Sequence, residues 1–263
     1  MAIPELPEVE TFKRYIERTS LNMTVKKVQV GNAIVLGKTS MRELREAVEG
    51  SSFRSVHRIG KHLLVELSGG GWLTLHFGMT GEPVFFSDRP PRFARVTFSF
   101  QEGALAFDDP RMLGRVGFAT TVEEFVRRKR LGPDALSISK KDFLARFGKT
   151  RGAIKPALLD QHKLAGIGNL YADEVLFQSR LDPRAELVGL SCQDLEAVYK
   201  NMKKVLKLSI ANGSDLSKLP PTYLLSHRRR GAPCPGCGGT TEIITLGGRT
   251  TYFCPKCQVR GGR

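Results

Sequence analysis

Apolar positions recur along this chain with two periods, and the change between them divides it. Near the start, Val9, Phe12 and Ile16 fall on one face of a helix over 7–19, and Pro7 suits its first turn. The period then becomes two. "HLLVEL" points Leu63, Val65 and Leu67 one way, and "ARVTFSF" does the same with Ala94, Val96, Phe98 and Phe100. "KKVQV", "WLTLHF", "EPVFF", "ALAF" and "RVGFA" also read as strands, with turns at Gly69-Gly70-Gly71 and Glu102-Gly103. About eight short strands predict an antiparallel sandwich or barrel behind an N-terminal helix. After Arg127-Arg128-Lys129-Arg130, the turn-rich "LGPDALS" reads as a linker. Beyond it the pattern is helical in "KKDFLARFGK", "IKPALLD", "NLYADEVLFQS" and "SCQDLEAVYKNMKKVLKLSIANG". The division expected is a β-domain over 1–130, a helical domain over 138–225 and a cysteine-bearing segment over 228–263, a multidomain α+β chain.

Charge narrows the choice of partner. Among 263 residues, 41 Lys and Arg face 26 Asp and Glu, a net +15 that favours a polyanion, either nucleic acid or an anionic membrane face. No apolar run approaches the roughly 20 residues of a membrane span and nothing resembles a signal peptide, so a soluble cytoplasmic protein without a membrane partner is expected.

Cysteine spacing adds a metal. Of five cysteines, Cys192 stands alone in a helical stretch and is expected as a small buried hydrophobe. The others form "CPGC" (Cys234, Cys237) and "CPKC" (Cys254, Cys257), sixteen residues apart. Each knuckle aims two thiolates at one ion, and Zn2+ takes four in a tetrahedron, so one structural zinc is expected. The intervening "TEIITLGGRTTYF" reads as a hairpin turning at Gly247-Gly248, with Arg249 at its tip and Arg228-Arg229-Arg230 on the approach. A solvated turn residue is the plainer role for Arg249; a phosphate contact is the sharper one.

Two more stretches bear on nucleic acid. "AGIGNLYADE" puts small residues before a helix starting near Asn169, where backbone N–H groups can hold a phosphate, with Lys149, Arg151 and Lys155 nearby. An ordinary helix turn explains it as well. "DDPRMLG" sets Arg111 beside Met112 and Leu113 in a loop between strands, an arrangement that suits a wedge into base pairs.

Taken together, "PELPEVE", "GKHLLVEL", "LHFGMTG", "DPRMLG", "IKPALLDQHKLAGIGNLYADEVLF" and the cysteine hairpin resemble the formamidopyrimidine-DNA glycosylase and endonuclease VIII family over nearly the whole chain. The resemblance implies a β-sandwich, a helix–two-turn–helix domain and a zinc finger binding damaged double-stranded DNA, acting as a monomer. It implies a DNA-repair glycosylase with abasic-site lyase activity, in which an N-terminal amine attacks C1′ of a flipped nucleotide and forms a Schiff base. An α-amine near pKa 8 is easier to free than a lysine near 10.4. By motif match Glu5 is the acid/base, Glu8 supports it, and Lys61 assists elimination. Met79, Arg111 and Leu113 fill the vacated stack. Lys155, Asn169 and Arg249 hold phosphates, and Arg151 and Tyr171 also face DNA. Without the resemblance, Glu5 and Glu8 read as favourable charge at a helix N-terminus.

The sequence also departs from the family. Ala2 and Ile3 precede Pro4, whose nitrogen is then an amide. Three alternatives stand: Ala2 folds back and acts, processing exposes Pro4, or lyase chemistry is lost and a lesion-specific DNA-binding protein remains. Leu113 replaces a wedge aromatic, "RFAR" replaces a phosphate-binding His, and the stretch from Gly213 to Pro233 is short. Lesion preference is open among oxidised purines, oxidised pyrimidines and abasic sites.

Overall fold

A strand with one apolar side cannot bury it alone, so the period-two segments pair and stack. The structure is a computed structural model describing residues 3–261. The chain forms two compact units, one made of the residues before Glu5 with 8–130, the other of 5–7 with 131 onward.

In the first unit, helix α1 (Leu6–Ser20) buries Val9 and Ile16. Strands β1 (Lys27–Val30), β6 (Ala94–Ser99), β7 (Ala104–Asp108) and β5 (Glu82–Phe86) pair in that order as one sheet. Strands β2 (Phe53–Ile59), β3 (His62–Leu67), β4 (Trp72–His76) and β8 (Arg115–Ala119) form the other. Both sheets are antiparallel. Leu63, Val65, Leu73, Leu75 and Val116 meet Val96, Phe98, Leu105 and Phe107 in one core, each fully buried side chain contributing about 1.5–3 kcal/mol. Periodicity missed β2, where a register shift between Phe53 and Val56 breaks the alternation. It also missed α2 (Met41–Val48), although Ser40 and Glu43 form a capping box there, and α3 (Val122–Lys129), capped by Thr121.

In the second unit, α4 (Lys140–Phe147), α5 (Ile154–Leu159), α6 (Asn169–Gln178) and α7 (Cys192–Ala211) surround a core holding Phe143, Phe147, Leu158, Tyr171 and Val198. Every residue of α6 from Tyr171 to Phe177 is buried, which is why it shows no one-sided stripe. Strands β9 (Glu242–Leu246) and β10 (Arg249–Phe253) make the expected hairpin.

Two expectations are corrected. "LGPDALS" is not a free linker: Ala135 and nearby Ile138 are core residues, and the Ala135 N–H donates to the Ala165 carbonyl at 2.9 Å. Cys192 is exposed, because it is the first residue of α7, just after its Ser191 cap. No helix among the described residues is long and apolar enough to cross a membrane.

Candidate active site and nucleic-acid interface

Antiparallel pairing sets the ends of β3, β4 and β8 side by side, because His62 lies opposite His76 and His76 opposite Arg115. The turns that carry chemistry therefore leave the first unit at one end. Lys61 follows Gly60 (φ +58°) on the β2–β3 turn. Gly78 (φ +60°) permits a close approach between the β4–β5 and β7–β8 connections, since a Cβ there would stand 2.5 Å from the Leu113 carbonyl carbon. Met79 (36 % exposed) and Leu113 (43 % exposed) thus protrude from neighbouring turns, an unusual place for large apolar side chains.

Asp109 organises the second of these turns. Fully buried, it accepts from the Thr80 hydroxyl (2.7 Å), the Arg111 N–H (3.3 Å) and the Gly114 N–H (2.8 Å). Met112 takes a left-handed conformation (φ +55°) as a consequence of that tight turn. Sequence reasoning missed Asp109, although an Asp before Pro is a turn signal.

The rings of His62 and His76 lie 4.7 Å apart. Burial pushes both down, as do the charges of Lys61 and Lys129, and His76 falls to about 4. The Gly78 N–H donates to His76 Nδ1 at 3.3 Å, so the single proton of that neutral ring sits on Nε2.

In the second unit the carboxylate of Glu5 caps α6. It accepts from the N–H groups of Gly168 (2.7 Å), Leu170 (2.8 Å) and Tyr171 (3.3 Å). Gly166 (φ +115°) lets the loop wrap this segment: a Cβ there would strike Leu6 at 2.5 Å, and the Leu6 N–H donates to the Gly166 carbonyl. The expectation that this helix start holds a phosphate through its N–H groups is therefore corrected, because three of them already bind Glu5. Ala2 lies outside the described residues. Pro4 and Glu8 are buried, and Ile3 is 46 % exposed.

Two residues expected to face DNA are buried. Tyr171 is fully enclosed and its hydroxyl meets Ser209 Oγ at 2.6 Å. Lys155 is fully buried and contacts Asp173 Oδ1 (2.7 Å) and Thr251 Oγ1 (2.6 Å). Neither offers a surface to a phosphate. Their contacts with surrounding elements take up the polar groups that DNA would otherwise meet. Arg228 is likewise used internally, on Asp173 at 2.8 Å and over the Tyr252 ring.

Asn169 donates from Nδ2 to the Thr250 carbonyl at 2.9 Å, which ties the hairpin to α6. Gly247 (φ +56°) and Gly248 (φ +71°) make the tight hairpin turn, packed against Pro156. Arg249 follows it, exposed and without an ion pair among the described residues. Arg151 is exposed before α5.

The four remaining thiols converge, with all Sγ atoms within 4.8 Å of one another. Cys234–Cys257 and Cys237–Cys254 each lie 3.7 Å apart. A tetrahedron with Zn–S bonds of about 2.3 Å has edges of about 3.8 Å, so the donor set fits zinc and is too wide for disulfides at about 2.05 Å. Burial pushes the Cys254 and Cys257 thiols up, and a dication is what turns such thiols into thiolates.

Comparison with known proteins agrees with this geometry. The formamidopyrimidine-DNA glycosylase N-terminal domain matches residues 3–116, the H2TH domain of the same enzymes 131–220, and the zinc finger found in FPG and IleRS 231–259. A formamidopyrimidine-DNA glycosylase of Pelotomaculum thermopropionicum is 33 % identical, with 97 % of this chain and 99 % of that protein covered. The chain belongs to the formamidopyrimidine-DNA glycosylase family. A relative from Thermus thermophilus is 34 % identical over 98 % of this chain and the whole of that protein. The Lactococcus lactis Fpg solved with DNA containing an abasic site superposes with a TM-score of 0.87 at 27 % identity, covering 97 % of this chain and 99 % of that one. As in the matched zinc finger, the four cysteines ligate one structural zinc.

Proposed function

We propose that the protein is a base-excision-repair DNA glycosylase that removes an oxidised base from damaged double-stranded DNA and then cleaves the abasic site as a lyase. The observation that carries this is Glu5, a carboxylate beside the chain's first described residues, immobilised by three backbone N–H groups of α6. In this reading the carboxylate, held firmly by α6, moves the protons of the N-terminal amine.

A free amine attacks C1′, and the glycosidic C1′–N bond breaks with its electron pair leaving on the base. Glu5 relays one amine proton to the departing base. As the sugar ring opens, O4′ takes up a proton: the second amine proton where Ala2 attacks, leaving an imine, or one from water through Glu5 where Pro4 attacks with its single N–H, leaving an iminium. Loss of a C2′ proton then expels the 3′ phosphate. Base flipping is required because C1′ is shielded in the stack. Met79 and Leu113 fill the gap, with Arg111 beside them. Lys61 lies at the same end to meet a phosphate and assist elimination, and Glu8 supports the site. Arg151, Asn169 and Arg249 face the backbone from the second unit. Lys155 and Tyr171 act by positioning α6 and the hairpin. The protein acts as a monomer in the cytoplasm, where reduced cysteines keep zinc bound, and associates with the nucleoid in a bacterial cell. The lesion-DNA complexes of the Lactococcus protein support this reading.

Borohydride trapping on abasic-site duplex tests it. Protein beginning at Ala2 and protein beginning at Pro4 are compared; the form carrying the true nucleophile forms a covalent adduct mapped to its terminal residue, and acetylation abolishes it. Tight abasic-DNA binding with trapping by neither form would leave a lesion-binding protein instead.

A further inference from the structure

The outer face of the β2-β3-β4-β8 sheet carries a cavity of about 350 Å³, set against α3 and the 3-10 turn over Ala33–Leu36. Lys38, Arg115, Arg128 and Lys129 line it, against a single acid, Glu43, whose carboxylate caps the Ser40 N–H of α2. Neither Lys38 nor Lys129 has an ion pair among the described residues. Arg128 is paired with Glu124 at 3.2 Å, so the unrelieved charge is that of Lys38, Arg115 and Lys129. Burial, and then the positive charges of Arg128, Arg115 and Lys38, push the Lys129 amine below its ordinary value.

Hydroxyls complete the lining. Thr74 is 8 % exposed, and it lines the cavity with no side-chain hydrogen bond among the described residues. Thr39 stands beside it. A Cβ on Gly117 would meet Thr39 Oγ1 at 3.0 Å and Thr74 Oγ1 at 3.2 Å, so the two hydroxyls converge over the bare glycine. Two converging hydroxyls, beside cations of which Lys38, Arg115 and Lys129 have no ion pair among the described residues, are complementary to a small oxyanion.

The cavity also adjoins the turn assigned to the lesion gap. Arg115 Nη1 donates to the carbonyls of Gly114 (2.6 Å) and Met112 (3.3 Å), and the same side chain lines the cavity.

We infer that this cavity seats one backbone phosphodiester of the bound duplex, held by Arg115, Lys129 and the Thr74 hydroxyl. This rests on the glycosylase reading and adds to it a phosphate contact coupled directly to the Arg111–Leu113 turn. The carbonyls that Arg115 brackets belong to that turn, so seating the phosphate and presenting Leu113 are linked through one guanidinium.

The test is equilibrium binding of a duplex containing a tetrahydrofuran abasic analogue, measured across salt concentrations. Arg115→Gln and Lys129→Gln are each expected to weaken binding by about tenfold at low salt and to flatten the log–log salt slope by about 0.9. Thr74→Val and Gly117→Ala change no charge. They are expected to weaken binding too, which generic loss of positive potential does not explain. Thermal melting confirms that each variant is folded. Variants that bind DNA like the wild type overturn the inference. So does a result in which inorganic phosphate raises the wild-type melting temperature through this cavity while DNA binding ignores the substitutions, since the site then takes free phosphate. Failure of the glycosylase reading looks different: the wild type itself fails to trap lesion DNA, whether or not it binds it.

Discussion

Glu174 shows how much one buried carboxyl can govern. It is fully buried, accepts from Gln178 Nε2 (2.7 Å) and the Leu225 N–H (2.8 Å), and is pushed by burial up to about 7. Below about pH 4.5 folded and unfolded chains both hold the proton. Between there and about 7 only the folded chain keeps it, so stability falls as pH rises, by about 3 kcal/mol in all. Glu174→Gln keeps an acceptor for Leu225 and removes the titration. Its stability relative to wild type is expected to improve by about that amount from acid to slightly alkaline pH, measured by denaturant unfolding. A difference that stays constant with pH contradicts this. Lys155 is the other sensitive residue: Lys155→Met leaves buried Asp173 with Arg228 as its only ion-pair partner beside the Tyr252 N–H, and is expected to cost about 3–5 kcal/mol, read as lost melting temperature.

At the scale of elements, α6 is capped from far along the chain. Its Gly168 cap position offers no side chain, and Glu5 takes over the N–H groups. Glu5→Gln is expected to lower stability by about 1–2 kcal/mol and to abolish borohydride trapping. Glu5→Asp tests reach, because a shorter carboxylate cannot span Gly168 and Leu170 together. The β9–β10 hairpin depends on its metal in the same way that α6 depends on Glu5. Its small cluster of Phe177, Leu224, Cys234 and Cys254 buries too little to fold a hairpin alone. Chelation is expected to release one zinc per chain and to strip hydrogen-exchange protection from β9 and β10, while β3 and β4 stay protected. Protection that survives metal removal refutes a zinc-dependent hairpin.

For the whole molecule, the net +15 becomes useful only where cations are left unpaired. Lys155 and Arg228 are neutralised internally, whereas Arg111, Arg151 and Arg249 have no ion pair among the described residues, and together with Lys61 at the β2–β3 turn they offer about four phosphate contacts. The log–log salt slope of DNA binding is therefore expected near −3.5, and near −4.5 if the Arg115–Lys129 cavity adds a fifth. A flat response means the charge serves solubility alone. Arg249→Ala is expected to weaken binding equally for different lesion contexts, since a phosphate contact carries no base information.

Much is legible in the sequence because it is local. Alternation at Leu63, Val65 and Leu67 demands a buried sheet face, and two C-x-x-C knuckles at zinc spacing demand one ion; both follow from residues a few positions apart. The strand at Phe53 was not legible, because a bulge cancels the alternation that betrays a strand. By sequence Glu5 is a candidate acid/base or a charge favouring its own helix start, and only the fold places its carboxylate on the N–H groups at the start of α6, at Gly168, Leu170 and Tyr171. Lys155 and Tyr171 were read as facing DNA, and burial decided otherwise. In each of these cases the deciding partner is distant along the chain: the carboxylate on α6, Asp173 on Lys155, Ser209 on Tyr171. Local periodicity and spacing record what a segment must bury or ligate. Which distant group satisfies a buried charge, and which cations are left over for DNA, is set by desolvation and packing once the chain is folded.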